Sequence, residues 1–308
     1  MSGFSRCTSG VRTAAILVAF ATLAACGKDS TSPPANRTLA LSFVGLEPLA
    51  NGYHYEGWVI VAGQPRSTGK FNVNTAGALV TVAGAPIPNG EFNTGIDLSG
   101  ASTVVITIEP KGDTDAIPSA THYFAGTIAA NTATLRISAP EALNNAFTAA
   151  TGKYVLATPT DGDGTNEKSG VWFLSLASGA PAVGLVLPTL PAGWVYEGWA
   201  VINGQPVTTG RFTAASGADQ AAPFSGTQPA PPFPGEDFLF RAPTGFVFPT
   251  NLAGGTAVIS VEPQPDDSPA PFTLKPLLGP IAATAMDHVT YNMNLNIAGF
   301  PTGTAVIR

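Results

Sequence analysis

Charge is scarce in this sequence. Lys, Arg, Asp and Glu together supply 11% of the 308 residues, against roughly 25% in a typical soluble domain. The charges sum to −6 and no cluster of Lys or Arg occurs, so the electrostatic footprint of a nucleic-acid-binding protein is absent. Histidine is limited to His54, His122 and His288; no two stand at metal-ligand spacing and there is no HExxH. Cysteine is limited to Cys7 and Cys26. No G-x-S-x-G, P-loop or strand-linked G-x-G-x-x-G is present. With no visible nucleophile, phosphate cradle or ligand cluster, the sequence predicts a non-enzymatic protein without cofactor or metal.

What is abundant points to strands. Hydrophobic residues make up 44% of the chain, enough for a sizeable core. The 34 Gly and 28 Pro break helices, while the many Thr and Val favour pleated backbone. An all-β, extracytoplasmic protein follows.

The N-terminus carries an address. Arg6 and Arg12 precede a short apolar run, AAILVAFATLA (14–24), and LAAC closes it at Cys26. About a dozen apolar residues are too few to span a bilayer. The segment resembles a bacterial lipoprotein signal peptide, with Leu23, Ala24 and Ala25 at the lipobox positions and Cys26 as the lipidated residue. That resemblance implies removal of 1–25, an acyl anchor on Cys26, and, with Gly27 and Lys28 following, the outer membrane of a Gram-negative envelope. Cys7 leaves with the leader, so the mature chain, of charge −8, has no internal disulfide. GKDSTSPPANR (27–37) reads as a polar tether.

One passage is written twice. YEGWVIVAGQPRSTGKF (55–71) and YEGWAVINGQPVTTGRF (196–212) agree at ten of seventeen positions. Ala62-Gly63 and Asn203-Gly204 are two-residue turn signals, so each passage predicts a β-hairpin. The repetition continues: VVITIEP (104–110) answers VISVEP (258–263), and FAGTIAA (124–130) answers LLGPIAA (277–283). The offset grows from 141 to 153 residues, an excess located in the Pro-rich APFSGTQPAPPFPGE (222–236). A whole unit is therefore duplicated, and its size and short strands predict a β-sandwich in each copy. We expect a signal peptide at 1–25, a tether at 26–37, a first sandwich with an extra hairpin at 38–178, and a second sandwich at 179–308. Between the copies, APEALNNAFTAA (139–150) suggests a helical turn or two. GKYVLATPT, DGDGTNEKSG and VWFLSLA then read as strand, loop and strand, completing the first domain or bridging the two.

With these residues in hand, the unit resembles the extracytoplasmic domain of anti-sigma-K factors. The matches are Tyr55, Trp58, Gly69, Phe71 and Glu109-Pro110 in the first copy, and Tyr196, Trp199, Gly210, Phe212 and Glu262-Pro263 in the second. The family also has a cytoplasmic helical segment that grips a sigma factor and a membrane-spanning helix. Neither is found here, so sigma binding is not expected of this chain.

Alternation of side chains along each strand assigns roles to particular residues. Trp58 and Trp199 anchor the two cores, and Gly57 and Gly198 leave room for a neighbouring backbone or ring. Glu56 and Glu197, on the same face as each Trp, are expected near a strand end, hydrogen-bonded to backbone amides or half in water; ligand-contacting carboxylates are the alternative. Glu109 and Glu262 mark strand ends before Pro. Paired glutamates are also the residue type of glycosidases, but nothing in the spacing fixes their separation. His54 aligns with Val195, which argues for packing or surface rather than ligation. Asp161, Asp163, Thr165 and Glu167 resemble the start of a calcium loop, or form a solvated turn. The expected function is an envelope lipoprotein offering tandem sandwiches to a protein or glycan partner. The alternatives are an accessory or sensor in envelope signalling, and a hydrolase whose site the motifs do not reveal.

Overall fold

The computed structural model describes residues 36–162, 164–266 and 268–308. The leader, Cys26 and Asp163 lie outside them. Among the described residues the chain is all-β, with one 3₁₀ turn at Pro88–Gly90.

The first copy contributes β1 (Thr38–Val44), β2 (His54–Val61), β3 (Gln64–Val73), β4 (Leu79–Val80), β5 (Glu91–Asn93), β6 (Ala101–Glu109), β7 (His122–Thr127) and β8 (Thr132–Leu135). The middle segment contributes β9 (Thr151–Leu156), β10 (Gly170–Trp172), β11 (Leu174–Ser175), β12 (Ala182–Val183) and β13 (Leu185–Val186). The second copy contributes β14 (Trp194–Ile202), β15 (Gln205–Phe212), β16 (Gly235–Asp237), β17 (Thr256–Pro263), β18 (Leu277–Pro280), β19 (Tyr291–Leu295) and β20 (Thr302–Ile307).

The two repeated passages form the two hairpins β2–β3 and β14–β15. Their turns have positive φ at both central residues, 51° and 75° at Ala62-Gly63 and 52° and 80° at Asn203-Gly204, the backbone of a tight hairpin turn. Both hairpins carry a bulge at the same place, Gly57/Trp58 and Gly198/Trp199. Both tryptophan strands are central, β2 between β3 and β6, and β14 between β15 and β17. This is why both of their faces are largely covered, Glu56 and Glu197 included.

A five-stranded sheet, β4-β3-β2-β6-β7, faces a four-stranded sheet, β5-β1-β20-β8. Leu39, Leu41 and Leu135 from one meet Tyr55, Phe71, Ile106 and Phe124 from the other. A nine-stranded sheet joins the second copy to the middle segment in the order β15-β14-β17-β18-β19-β9-β10-β16, with β13 also paired to β9, and the end strands β15 and β16 return beside each other.

Strand pairing crosses position 178/179 in both directions. β20, the last strand, lies between β1 and β8 of the first copy. β9 and β10, from the middle segment, pair with β19 and β16 of the second. Ala35–Arg308 accordingly forms one compact unit with a continuous core. At the seam, Tyr123 of β7 packs its ring 5.7 Å from Trp194 and 5.3 Å from Phe272, and Trp194 Nε1 donates to the His122 carbonyl at 3.1 Å.

The helical turns expected at 139–150 do not form. Asn144 and Phe147 sit at φ 53° and 59°, a conformation that no right-handed helix accommodates.

The bulge glycines are places of close approach. A Cβ on Gly57 would lie 2.5 Å from the Thr68 hydroxyl, and one on Gly198 would lie 2.3 Å from the Thr209 hydroxyl and 2.6 Å from the Phe173 ring. We predict that Gly198→Ala destabilises the protein by about 2 kcal/mol, as overpacking does. Gly57→Ala, with a single close contact, should cost less. Urea midpoints at constant m-value measure both.

Candidate functional site

The duplicated residues assemble one buried polar network, present twice. In the first copy Trp58 Nε1 donates to Thr107 Oγ1 at 2.9 Å. Thr107 in turn donates to Glu109, whose Oε1 also accepts the Ser119 amide at 3.0 Å. In the second copy Trp199 Nε1 donates to Ser260 Oγ at 2.7 Å, Ser260 donates to Glu262, and Glu262 Oε1 accepts the Phe272 amide at 2.9 Å. Tyr55 and Tyr196 each donate to a backbone carbonyl eight residues upstream, Glu47 at 2.8 Å and Pro188 at 2.6 Å. Each tyrosine ring packs 5.5 Å from its hairpin phenylalanine, Phe71 or Phe212.

The other half of the network is charged. Glu56 and Glu197 are 2% and 4% exposed. They are neither half in water nor held by backbone amides, which corrects the expectation from sequence. Their true partners stand across the hairpin in register: Lys70 opposite Glu56 and Arg211 opposite Glu197. Lys70 Nζ lies 3.6 Å from Glu56 Oε2 and 2.7 Å from Asp113 Oδ2. Arg211 Nε lies 3.0 Å from Glu197 Oε2, while its Nη2 bonds Asp266. Ser67 and Thr208 donate to the remaining oxygens of Glu56 and Glu197. Burial drives both glutamates upward in pKa, against the downward pull of these hydroxyls and of the cations.

Sequence reasoning missed the cation and the aspartate, although both were visible. The closing GKF and GRF place a cation at matched positions, and EPKGD (109–113) and EPQPD (262–266) place an Asp four residues after each Glu. Reading the alternation of one strand alone hid a cross-strand pair.

In the second copy this network floors a cavity of about 570 Å³. Trp199, Pro206, Arg211, Phe224, Phe246 and Pro269 are among its walls. Phe224 comes from the loop that the first copy lacks, so the insertion builds the cavity on a repeated base. The Pro-rich tip beside it is not a free arm: Phe233 and Pro234 are buried, and Phe233 packs with Trp172.

A second buried acid group lies near the middle hairpin. Asp237 accepts from Trp172 Nε1 at 2.7 Å and from the Thr160 amide at 2.8 Å. Glu236 is fully buried, and burial pushes its carboxyl up to about 8. Burial likewise raises Asp219 to about 7 and Glu262 to about 8.

Of the remaining candidates, His288 and Glu167 approach one another, Nε2 to Oε2 at 3.9 Å. In the acidic loop, Asp161 accepts from the Thr158 hydroxyl at 3.0 Å and Glu167 from the Thr158 amide at 3.0 Å, so both serve the turn. His122 and His288 are far apart in the chain and bond Glu141 and Asp287 respectively. His54 is buried beside Glu56. Glu56, Glu109, Glu197 and Glu262 all have hydroxyl partners.

Among the described residues, no helix is long and apolar enough to cross a membrane. No curated protein and no solved structure matches the chain. Residues 12–122 match the family model described as Anti-sigma-K factor rskA, C-terminal. The matched span holds Tyr55, Trp58, Lys70, Phe71, Glu109 and Asp113, the residues of the first network. The chain through β6 is therefore similar to the C-terminal domain of anti-sigma-K factors, a regulatory rather than catalytic family, and the second copy has Tyr196, Trp199, Phe212, Glu262 and Asp266 at the places of Tyr55, Trp58, Phe71, Glu109 and Asp113.

Proposed function

We propose that this protein is a non-catalytic lipoprotein of the cell envelope, held at the outer membrane by acyl chains on Cys26, that binds a protein or glycan partner at the cavity over Trp199. The observation that carries this reading is the contrast between the copies. The polar base is repeated position for position, with a hydroxyl, a carboxylate and a cation at matched places, while the loop that differs supplies an aromatic wall. Apolar walls over a few fixed polar groups are the usual composition of a binding site. Each carboxylate in the base is engaged by a hydroxyl, an amide or a cation, an arrangement that suits a rigid scaffold.

The test compares the full chain with Phe246→Glu, which places a charge on the half-buried cavity wall. Both are used to capture crosslinked envelope proteins and to probe a glycan array. The reading expects a partner or glycan retained by the unaltered protein and reduced at least tenfold by the variant. Equal retention by both, or retention by neither, contradicts it.

The match to anti-sigma-K factors favours a second reading, an accessory or sensor module in envelope signalling. On that reading the captured partner is a protein that crosses the membrane. A glycan, or a partner confined to the envelope, speaks against it.

A further inference from the structure

The two networks differ at one position in a way that changes their chemistry. The first copy has His54 where the second has Val195. One imidazole nitrogen of His54 and one carboxylate oxygen each from Glu56 and Asp113 lie within 4.8 Å of one another. His54 is 4% exposed. Its Nδ1 lies 3.4 Å from the Gly52 carbonyl, and its Nε2 is buried with no hydrogen-bond partner among the described residues. Glu56 divides its oxygens similarly: Oε1 accepts from Ser67, while Oε2 is buried, forms an ion pair with Lys70 and has no hydrogen-bond partner among the described residues. A buried nitrogen and a buried carboxylate oxygen left open side by side call for an explanation.

We propose that the first copy binds a divalent cation of the zinc class through His54 Nε2, Glu56 Oε2 and a carboxylate oxygen of Asp113. One imidazole and two carboxylates suit zinc and its neighbours better than calcium or magnesium, which prefer oxygen alone. The outer contacts also fit. A backbone carbonyl beside Nδ1 and a hydroxyl on Glu56 are the supports that orient metal ligands. The ammonium of Lys70 holds the two carboxylates in the absence of the ion. It sits on a flexible stem and is 30% exposed, so it can swing into water as the divalent ion replaces it. The second copy cannot do this. Val195 offers no ligand, and the planar guanidinium of Arg211 engages both of its acids. The inference is independent of the cavity over Trp199.

The test is calorimetric titration of zinc chloride into the full chain without a polyhistidine tag, with Cys7→Ser and Cys26→Ser removing competing thiols. The proposal expects one equivalent bound, with calcium and magnesium giving no comparable heat. His54→Val, which installs the second copy's own residue, should weaken binding at least tenfold while thermal unfolding stays near that of the parent. If His54→Val lowers the thermal midpoint, His54→Gln gives the same reading with a polar side chain retained. Lys70→Met should tighten binding several-fold. His288→Ala, which removes the exposed histidine beside Asp287, should change nothing. Absence of binding, binding that survives both His54 variants, or loss in His288→Ala overturns the site. Unchanged affinity in Lys70→Met overturns the displacement of its ammonium.

Discussion

Arg211→Met should destabilise the protein by about 3 kcal/mol, and Arg211→Lys should recover most of that loss. The reason lies in the burial of its partners. The side chains of Glu197 and Asp266 are only 5% and 1% exposed, and removing the cation leaves two carboxylates uncompensated in a poorly solvated place. Breaking a buried ion pair from one side costs about 3–5 kcal/mol. The lower end applies because Arg211 itself is about one-third open to water. The first copy performs the same task with lysine, which is the basis for the expected rescue. Lys70→Met should cost less than Arg211→Met, because Lys70 stands 3.6 Å from its glutamate where Arg211 stands 3.0 Å from its own. Denaturant unfolding of the four proteins decides the order. Equal stability of Arg211→Met and the parent would contradict a structural role for the pair.

The protein should also lose stability as pH rises from 5 to 8.5. Glu236 and Glu262 have folded values near 8, and Asp219 has one near 7, with burial the chief cause in all three. Their unfolded values lie near 4. Between the two values the folded state holds more protons than the unfolded state, so the slope of stability with pH is negative. The stabilisation is complete below the unfolded values and is lost as pH rises through the folded ones. Each such carboxyl with a shift of about three units corresponds to about 4 kcal/mol, which at roughly 2–4 °C per kcal/mol is a fall in Tm of about 10 °C from one group alone. Glu236→Gln and Glu262→Gln should each flatten the profile. A Tm that is flat or rising over this range would contradict burial of these groups as charge-averse acids.

The parts of this fold that were legible in sequence are those written locally. The hairpins, their turns and the central place of the tryptophan strands follow from seventeen-residue passages and from alternation within them. The middle strand–loop–strand was visible for the same reason. What was not legible depends on distance along the chain. β20 pairs with β1 across almost the whole sequence, and no local pattern announces a partner that remote. The joining of β9 and β10 to the second copy's sheet is equally silent. At 139–150 local propensity is overridden: Ala, Leu and Glu favour helix, but Asn144 and Phe147 adopt the left-handed backbone. The charged pair is silent for another reason: its residues face one another across strands, and alternation within one strand carries no sign of that. The cavity over Trp199 depends on a loop whose path the sequence does not specify.

Duplication of a complete network also explains why it is conserved between the copies while its surroundings change. Trp, hydroxyl and Glu form a chain in which each member satisfies the next. Loss of one leaves a buried donor or acceptor open, at about 1–3 kcal/mol. Loops outside the chain carry no such penalty and are free to diverge, as the insertion near Phe224 has done.

Hydrogen exchange of the tryptophan indole N–H groups, followed by NMR, measures the paired networks directly. Trp58 and Trp199 should both be strongly protected in the parent protein. Thr107→Val should speed exchange at Trp58 alone, and Ser260→Ala at Trp199 alone, each at least tenfold. Rapid exchange of either indole in the parent, or one indole indifferent to loss of its hydroxyl partner, would mean that the two copies are not built alike.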